Sequence, residues 1–230
     1  MPKIPIKKMK RPSLSEMRAH PLESLQREYA GSVDAEWVAH IERRMEMARC
    51  FERDHLWVQA ERVYNAIAEE LPDDETVAEH LIYVAAQTGN WIPAYEALSR
   101  FLEQTPKNHL TSERVFQCAR IAAEKLKRHS DAIELIDRYF DMFICHPHSA
   151  KWLVQNASNW GKSDVIINIV TRHATNVKDE TLQEIAFNAL GFLFQHLKHE
   201  KKEAGYWYRK TLTISPGNSD AIDGLLSLYD

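Results

Sequence analysis

The sequence predicts an all-α protein, and three observations support this fold class. Ala, Leu, Glu, Lys, Arg and Gln dominate the composition, and only 7 of the 230 residues are glycine, which favours helix. Between residues 37 and 51, apolar residues recur at intervals of three and four, a spacing typical of one face of a helix. Residues 57–72 have a near copy at 91–106, which begins 34 residues later. A fixed period of this length indicates an array of repeated helix pairs.

Residues 1–33 are predicted to form a basic, partly disordered tail and a short helix that precedes the repeats. Residues 1–12 combine prolines and Lys/Arg with no acidic residue, so this segment cannot bury enough apolar surface to order itself. The run of Lys7, Lys8, Lys10 and Arg11 could bind phosphates, anionic lipid or a transport receptor, although a solubilising tail is the simpler interpretation. The Ser-x-x-Glu pattern at 13–16 is a capping box and predicts the short helix.

One helical-repeat domain is predicted over residues 34–230, with its helices set by start and stop signals. Asp34 is a good N-cap, and Pro72, Gly89 and Pro106 punctuate the first two pairs. The predicted pairs are 34–53 with 57–71, 75–88 with 91–104, 110–127 with 130–144, 149–159 with 163–173 and 182–199 with 202–214, followed by a last helix at 221–229. The apolar run at 165–170 also fits a strand, and its place in the repeat decides for helix.

The residues inside the pairs resemble the tetratricopeptide repeat. That pattern has a small alanine early in the second helix, a large residue four positions later and a proline after the helix. The matching sets are Ala60, Tyr64 and Pro72; Ala94, Leu98, Phe101 and Pro106; and Ala204, Tyr208 and Pro216. Leu190 and Gly191 match the Leu-Gly pair of the first helix, while the fourth pair departs from the pattern at most positions. The resemblance implies a right-handed α-solenoid of about five helix pairs plus a C-terminal helix.

The resemblance also implies a concave groove lined mainly by the first helix of each pair. Its predicted peptide-binding residues are Met45, Arg49 and Arg53 in the first pair, Glu79, Tyr83 and Gln87 in the second, and Arg114, Gln117 and Ile121 in the third. This mixture suits recognition of an extended peptide or a helix, and the alternative is that they are ordinary solvated residues. The leading hypothesis is a scaffold-like or chaperone-like module that binds a partner protein as an adaptor or assembly factor. A regulator that binds nucleic acid or an anionic surface through the basic tail is the alternative, and the acidic remainder of the chain makes nucleic acid the weaker candidate.

No set of residues in the sequence indicates catalysis, a cofactor or a metal. The run from Cys145 to His148 resembles a ligand cluster, but a structural zinc site needs two spaced ligand pairs. Gly161-Lys162-Ser163 resembles the end of a phosphate-binding loop, but Asn156 stands where that motif needs a glycine. We therefore expect a non-catalytic protein without a cofactor or a metal.

The remaining expectations concern compartment and oligomeric state. The odd number of cysteines, 3, favours free thiols in a reducing compartment. No apolar run is long enough to span a bilayer, and no signal-peptide pattern follows the basic start, so we expect a cytoplasmic protein. The last predicted helix places Leu225, Leu226 and Leu228 at its surface, so we expect either another part of the chain or a second subunit to cover them. The second case would be a homodimer formed through the C-terminal helix.

Overall fold

The computed structural model describes the backbone of residues 35–229 and the side chains of residues 37–229. Within this range it contains α-helices, one 3₁₀ turn and two π-helical turns, and no strand. The helices are α1 (Ala35–Arg53), α2 (Trp57–Glu70), α3 (Glu75–Thr88), α4 (Ile92–Gln104), α5 (Ser112–Arg120), α6 (His129–Arg138), α7 (Phe140–Ile144), α8 (Ser149–Ala157), α9 (Ser163–Asn176), α10 (Glu180–Leu193), α11 (Lys201–Ile214) and α12 (Ser219–Ser227). The all-α prediction is confirmed. The basic run at Lys7, Lys8, Lys10 and Arg11 and the short helix predicted near 13–16 lie outside the described residues.

Within residues 35–104 and again within 112–227, helices that follow one another in the chain pack against one another, as repeated helix pairs require. The pairs are α1 with α2, α3 with α4, α5 with α6 and α7, α8 with α9, and α10 with α11, and α12 packs on the last pair. We call α1, α3, α5, α8, α10 and α12 the first helices, and the others the second helices. The right-handed solenoid implied by the resemblance stays a prediction.

The chain divides into two compact units, with the boundary between His109 and Leu110. In the first unit, Ile41, Tyr64, Ile67 and Leu81 are completely or almost completely buried. In the second unit, the largest fully buried side chains are Phe140, Phe143, Ile136 and Leu153. Burying such side chains provides most of the favourable free energy of folding, at about 1.5–3 kcal/mol each. The single repeat domain predicted over 34–230 stays a prediction.

Local sequence signals explain the helix boundaries of the first unit. The buried Asp74 carboxylate accepts a hydrogen bond from the backbone N–H of Val77 at 3.1 Å and so caps α3. Gly89 ends the same helix in the left-handed region, with φ of 77°. A Cβ at Gly89 would meet no atom within 4 Å, so the backbone angle, and not the available space, favours glycine there.

The third pair differs from its prediction in both helices. The predicted helix 110–127 begins at Ser112 and changes after Arg120 into a π-helical turn, Ile121–Lys125. The predicted helix 130–144 is interrupted at Tyr139, whose φ and ψ are −115° and 33°. Neither interruption falls at a glycine or a proline, so the usual breaking signals are absent from the sequence.

The last helix also corrects part of a prediction. Leu228 is only 7% exposed, because it packs with Ala204 and Tyr208 of α11, so its predicted place on the surface is wrong. Leu226 is 62% exposed, as expected. The homodimer itself stays a prediction. Among residues 35–229, every helix is too short or too polar to cross a lipid bilayer.

Candidate functional site

Three of the predicted groove residues of the first unit lie together in one cleft. Arg53 at the end of α1 and Glu79 and Tyr83 on α3 line a space of about 540 Å³. The other lining residues are Glu52, His55, Trp57 and His80. We call this space the aromatic cleft. It lies between the end of α1, the start of α2 and the helix α3, and its role as a peptide-binding groove stays a prediction.

Aromatic rings form one side of the aromatic cleft. The rings of Trp57 and Tyr83 meet edge to face with centroids 5.9 Å apart, and His55 lies 5.2 Å from Trp57. Tyr83 is 51% exposed, so a large amphipathic ring faces solvent beside a concave surface. Exposed aromatic residues in such a position are typical anchors for a protein partner.

A partly buried, hydrogen-bonded pair of side chains supports the other side of the aromatic cleft. His80 stacks on Tyr64 with ring centroids 4.7 Å apart and an angle of 9° between the rings. Nδ1 of His80 lies 3.0 Å from Oε1 of Glu52. Burial and the nearby Glu52 carboxylate raise the pKa of Tyr64 well above its ordinary range. The stacked ring and the hydrogen bond hold His80 and Glu52 in place on one wall of the cleft.

The other predicted residues of the first unit lie elsewhere. Met45 is 2% exposed and belongs to the core with Ile41 and Ala48, so its assignment to a binding surface is wrong. The same three-and-four periodicity that marks Ile41 and Ala48 as core residues includes Met45. Arg49 is partly buried, with Nη1 3.8 Å from Oε2 of Glu46. Gln87 is exposed and is not among the residues that line the aromatic cleft.

The second unit contains a larger cavity, of about 600 Å³, that the sequence analysis missed. It is lined by α8, α10 and α12, which are three successive first helices, with contributions from Ile144, Pro147 and Tyr208. Ile185, Ala189 and Phe192 of α10 form apolar wall. We call this space the large cavity. One feature of the sequence could have indicated this cavity. The match of Leu190 and Gly191 to the Leu-Gly pair identifies α10 as a first helix, and first helices are the ones expected to line a binding surface.

Tyr208 forms the floor of the large cavity between two glycines. A Cβ at Gly191 would lie 2.5 Å from Cδ1 and Cε1 of the Tyr208 ring, and a Cβ at Gly224 would lie 2.7 Å from Cε1 and Cε2. The Tyr208 hydroxyl donates a hydrogen bond to Oε1 of Gln195 at 2.8 Å. Burial and the charge of Asp220 raise the pKa of Tyr208 to about 12, so the hydroxyl stays protonated at neutral pH.

Some polar groups around the large cavity lack a hydrogen-bond or ion-pair partner among the described residues. Oδ1 of Asn188 is buried and has no hydrogen-bond partner, although an unpaired buried acceptor costs about 1–3 kcal/mol. Lys151, Asp220 and Asp223 are exposed, and none of them has an oppositely charged group within 4 Å among residues 37–229. Burial lowers the pKa of His196, with a smaller effect from His199, which favours a neutral imidazole at neutral pH.

A second depression adjoins the large cavity, because Lys151 lines both. It measures about 360 Å³, and its other lining residues are Phe116, Arg120 and Glu124 next to His148, Trp152 and Gln155 of α8. Glu124 accepts a hydrogen bond from Nε1 of Trp152 at 2.6 Å and lies 3.7 Å from Nε of Arg120. We call this space the basic depression, because Arg120 and Lys151 outnumber its single carboxylate.

The residues predicted for the third pair do not line the basic depression. Ile121 is 4% exposed, so its assignment to a binding surface is wrong. It is the first residue of the π-helical turn and is buried there with Ala122 and Ala123. Arg114 donates from Nη1 to Oε1 of Gln117 at 3.0 Å, and both side chains are partly buried. Phe116 and Arg120, on the same helix, line the depression instead.

The ligand-like run at Cys145–His148 has a structural explanation. The His146 ring stacks on Phe116 at 3.8 Å, and its Nε2 lies 3.0 Å from Oε2 of Glu113. Burial raises the pKa of the Cys145 thiol, with smaller effects from nearby carboxylates. Within the described part of the chain, no group of three His, Cys, Asp or Glu residues is arranged to hold a metal ion.

The helix pairs and their repeated sequence define a protein of the helical-repeat class. Comparison with models of known families finds no match, and no curated protein matches. Among solved structures, the chain is similar to the C-terminal part of a TPR repeat-containing protein from Cytophaga hutchinsonii, with 13% sequence identity and a TM-score of 0.41. That alignment covers 80% of this chain and 69% of the other. The assignment to the class rests on the helix pairs themselves.

Proposed function

We propose that this protein binds segments of a partner protein on its first helices, as a non-catalytic adaptor, assembly factor or chaperone. The observation that carries the proposal is the large cavity, lined by three successive first helices. Its volume of about 600 Å³ is within the range of about 300–1,000 Å³ that is usual for ligand-binding cavities.

The chemistry of the large cavity favours a peptide as its ligand. Phe192 and Ile185 offer an apolar surface, which favours an apolar side chain of the partner. The side-chain amide of Asn188 also lines the cavity, and a peptide backbone carries an N–H and a C=O group on almost every residue. A ligand that combines an apolar side chain with such polar groups gains apolar burial and also hydrogen bonds to the lining side chains.

The aromatic cleft offers a second binding surface, on the first unit. The exposed edge-to-face pair of Trp57 and Tyr83 provides a large contact area at a small entropic cost, because each ring has only two rotatable side-chain bonds. Truncation of such an aromatic residue at a protein interface typically costs 2 kcal/mol or more, so about 30-fold or more in affinity.

The proposal is tested by affinity capture of partners from cell extract on the full-length chain, with one variant for each surface. Phe192→Glu places a carboxylate on the wall of the large cavity, and Tyr83→Ser removes the exposed ring of the aromatic cleft. Tyr206→Ser is the matched control, because Tyr206 is similarly exposed, at 46%, but lies on the second helix α11. Circular dichroism checks that each variant keeps its helix content.

We expect specific partners to be captured by the wild-type chain and by Tyr206→Ser, and to be lost from Phe192→Glu or from Tyr83→Ser. The identity of a captured protein is then checked by mixing purified components and measuring the dissociation constant. Capture that is the same for all four proteins would contradict binding through these surfaces. The absence of any captured protein would contradict the proposed function as a whole.

A further inference from the structure

We infer that the second unit selects partner segments by the order of their charges: an acidic residue, then an apolar residue, then a basic residue, from the basic depression across the large cavity to α12. This inference rests on the proposed function and adds the chemistry of the partner. It arises from one arrangement, in which the two spaces share Lys151 of α8, Arg120 lies beyond it in the basic depression, and Asp220 and Asp223 of α12 line the large cavity.

The basic depression provides the edge that attracts an acidic residue. Arg120 and Lys151 are both exposed there. Glu124 already accepts a hydrogen bond from Trp152 and lies near Arg120, so it neutralises only part of this positive charge. Lys151 has no carboxylate within 4 Å in the described part of the chain, unlike Arg138 or Lys198, which are paired. A carboxylate of the partner would supply the missing counter-charge.

The edge formed by α12 provides the opposite charge. Asp220 and Asp223 both line the large cavity and are exposed. Neither has a cationic group within 4 Å among residues 37–229, whereas Asp137 and Asp164 are each paired. Two unpaired carboxylates one helical turn apart form a site for a Lys or Arg side chain of the partner.

Between these edges the cavity is apolar and neutral. The helix α10 lines the centre of the cavity with the apolar side chains of Ile185, Ala189 and Phe192. The depressed pKa of His196 keeps positive charge out of this region at neutral pH. The centre therefore favours an uncharged, apolar residue of the partner, because a charged residue would lose hydration without finding a counter-charge.

The helix spacing sets the length of the segment. The helix α10 packs against both α8 and α12, and packed helices lie about 8–10 Å apart. The two charged edges are therefore separated by at most roughly 16–20 Å, which an extended chain spans in no more than about five or six residues at about 3.3–3.6 Å each. A segment of uniform charge would place like charges together at one edge, and this is the physical basis of the selection.

The experiment uses a library of random 12-residue peptides displayed on phage and selected on the immobilised full-length chain. Phe192→Glu, selected in parallel, identifies the peptides whose capture depends on the large cavity. Selected sequences are then synthesised with a fluorescent label, each in its own charge order and with its acidic and basic residues exchanged. Their dissociation constants are measured by fluorescence anisotropy.

A charge-exchange variant provides the decisive comparison. Lys151→Glu combined with Asp223→Lys reverses the sign of the charge difference between the two edges, because the basic depression becomes net negative while Asp220 and the new lysine leave the α12 edge net neutral. The net charge of the protein does not change. Lys202→Glu combined with Glu96→Lys is the matched control, because both residues are exposed on second helices. We expect cavity-dependent peptides to carry opposite charges on either side of an apolar residue. The wild type and the control should prefer the original order by at least tenfold, and the charge-exchange variant should prefer the reversed order.

The possible failures are distinguishable from one another. Cavity-dependent peptides with a single sign of charge, or an order preference that the charge-exchange variant does not reverse, would overturn the inference and leave the proposed function standing. A selection that yields no peptide sensitive to Phe192→Glu would overturn both for this unit. Loss of binding by the second-helix control would show that long-range charge, and not the two edges, determines the preference, and would also overturn the inference.

Discussion

The placement of Tyr208 between two glycines predicts that adding a single methyl group at Gly191 destabilises the protein. Its Cβ would lie 2.5 Å from two ring carbons of Tyr208, whereas an ordinary contact between carbon atoms is about 3.5–4.0 Å. The ring cannot move away toward α12, because a Cβ at Gly224 would already lie 2.7 Å from Cε1 and Cε2 of the ring. The backbones of α10 and α12 must therefore shift.

The expected magnitude follows from two opposing contributions. Overpacking of a well-packed core typically costs about 1–3 kcal/mol. Replacing glycine by alanine inside a helix gains about 1 kcal/mol, because alanine loses less backbone entropy. At Gly191 the added Cβ would overlap the Tyr208 ring by about 1 Å, and the ring is confined by Gly191 on one side and Gly224 on the other. The overpacking cost should therefore lie at the upper end of its range. We therefore expect Gly191→Ala to lower the free energy of unfolding by about 1–2 kcal/mol.

The second unit offers a matched control for this prediction. Gly205 also lies inside a helix, α11, but a Cβ there would come no closer than 3.4 Å to the side chains of Arg209 and Leu228. Gly205→Ala should therefore show mainly the gain in helix propensity, about 0.5–1 kcal/mol. Urea unfolding followed by circular dichroism at 222 nm measures both variants, and the two midpoints should move in opposite directions.

A second background shows whether Tyr208 is the cause. In Tyr208→Leu the ring is absent, so Gly191→Ala should cost at least 1 kcal/mol less than it does in the wild type. An unfolding free energy of Gly191→Ala equal to that of Gly205→Ala would contradict the predicted destabilisation by the contact with Tyr208. So would a cost of Gly191→Ala that is the same with and without the ring, because the contact would then have no energetic role.

Three further predictions concern helix ends and pH. Gly89→Ala forces a left-handed backbone angle on alanine and should lower the unfolding free energy by about 1 kcal/mol; chemical denaturation measures this. Asp179 caps α10 by accepting a backbone N–H at 2.8 Å, so Asp179→Ala should cost about 1 kcal/mol, with Asp179→Ser recovering most of it. Hydrogen bonds from Arg172 and His173 lower the pKa of Asp137 in the folded protein. The resulting stabilisation is complete above the unfolded pKa of about 3.9 and is lost as the pH falls through the folded pKa. Between pH 5 and pH 2, Asp137→Asn should therefore lose less unfolding free energy than the wild type, as measured by denaturation at each pH.

The sequence predicted the helices of the first unit well because strong local signals mark their ends. The capping carboxylate of Asp74 and the left-handed Gly89 bound α3 at the predicted residues, 75 and 88. The break at Tyr139 and the π-helical turn after Arg120 have no comparable signal. They depend on packing between helices, which one sequence read locally does not contain.

The candidate sites were harder to predict than the helices. Periodicity identifies the apolar face of a helix. Each residue is rotated by 100° about the helix axis from the one before it, so a residue at the margin of the apolar face can be either buried or exposed. Met45 was assigned to the groove and is in the core, while Tyr83 on α3 was assigned to the groove and is exposed. The large cavity was missed because the fourth pair, which contributes Lys151, departs from the repeat pattern and received no groove assignments.

The same contacts that hold the last three helices together also shape the large cavity, so binding and stability are coupled in the second unit. Tyr208 packs against Gly191 and Gly224 and lines the cavity. Its hydroxyl bonds to Gln195, whose Nε2 donates to Oγ of Ser227 on α12 at 2.8 Å. A change that moves α12 away from Tyr208 therefore also moves Asp220 and Asp223 relative to α10. A peptide bound across α10 and α12 would oppose that movement, because a ligand that binds only the folded state stabilises it.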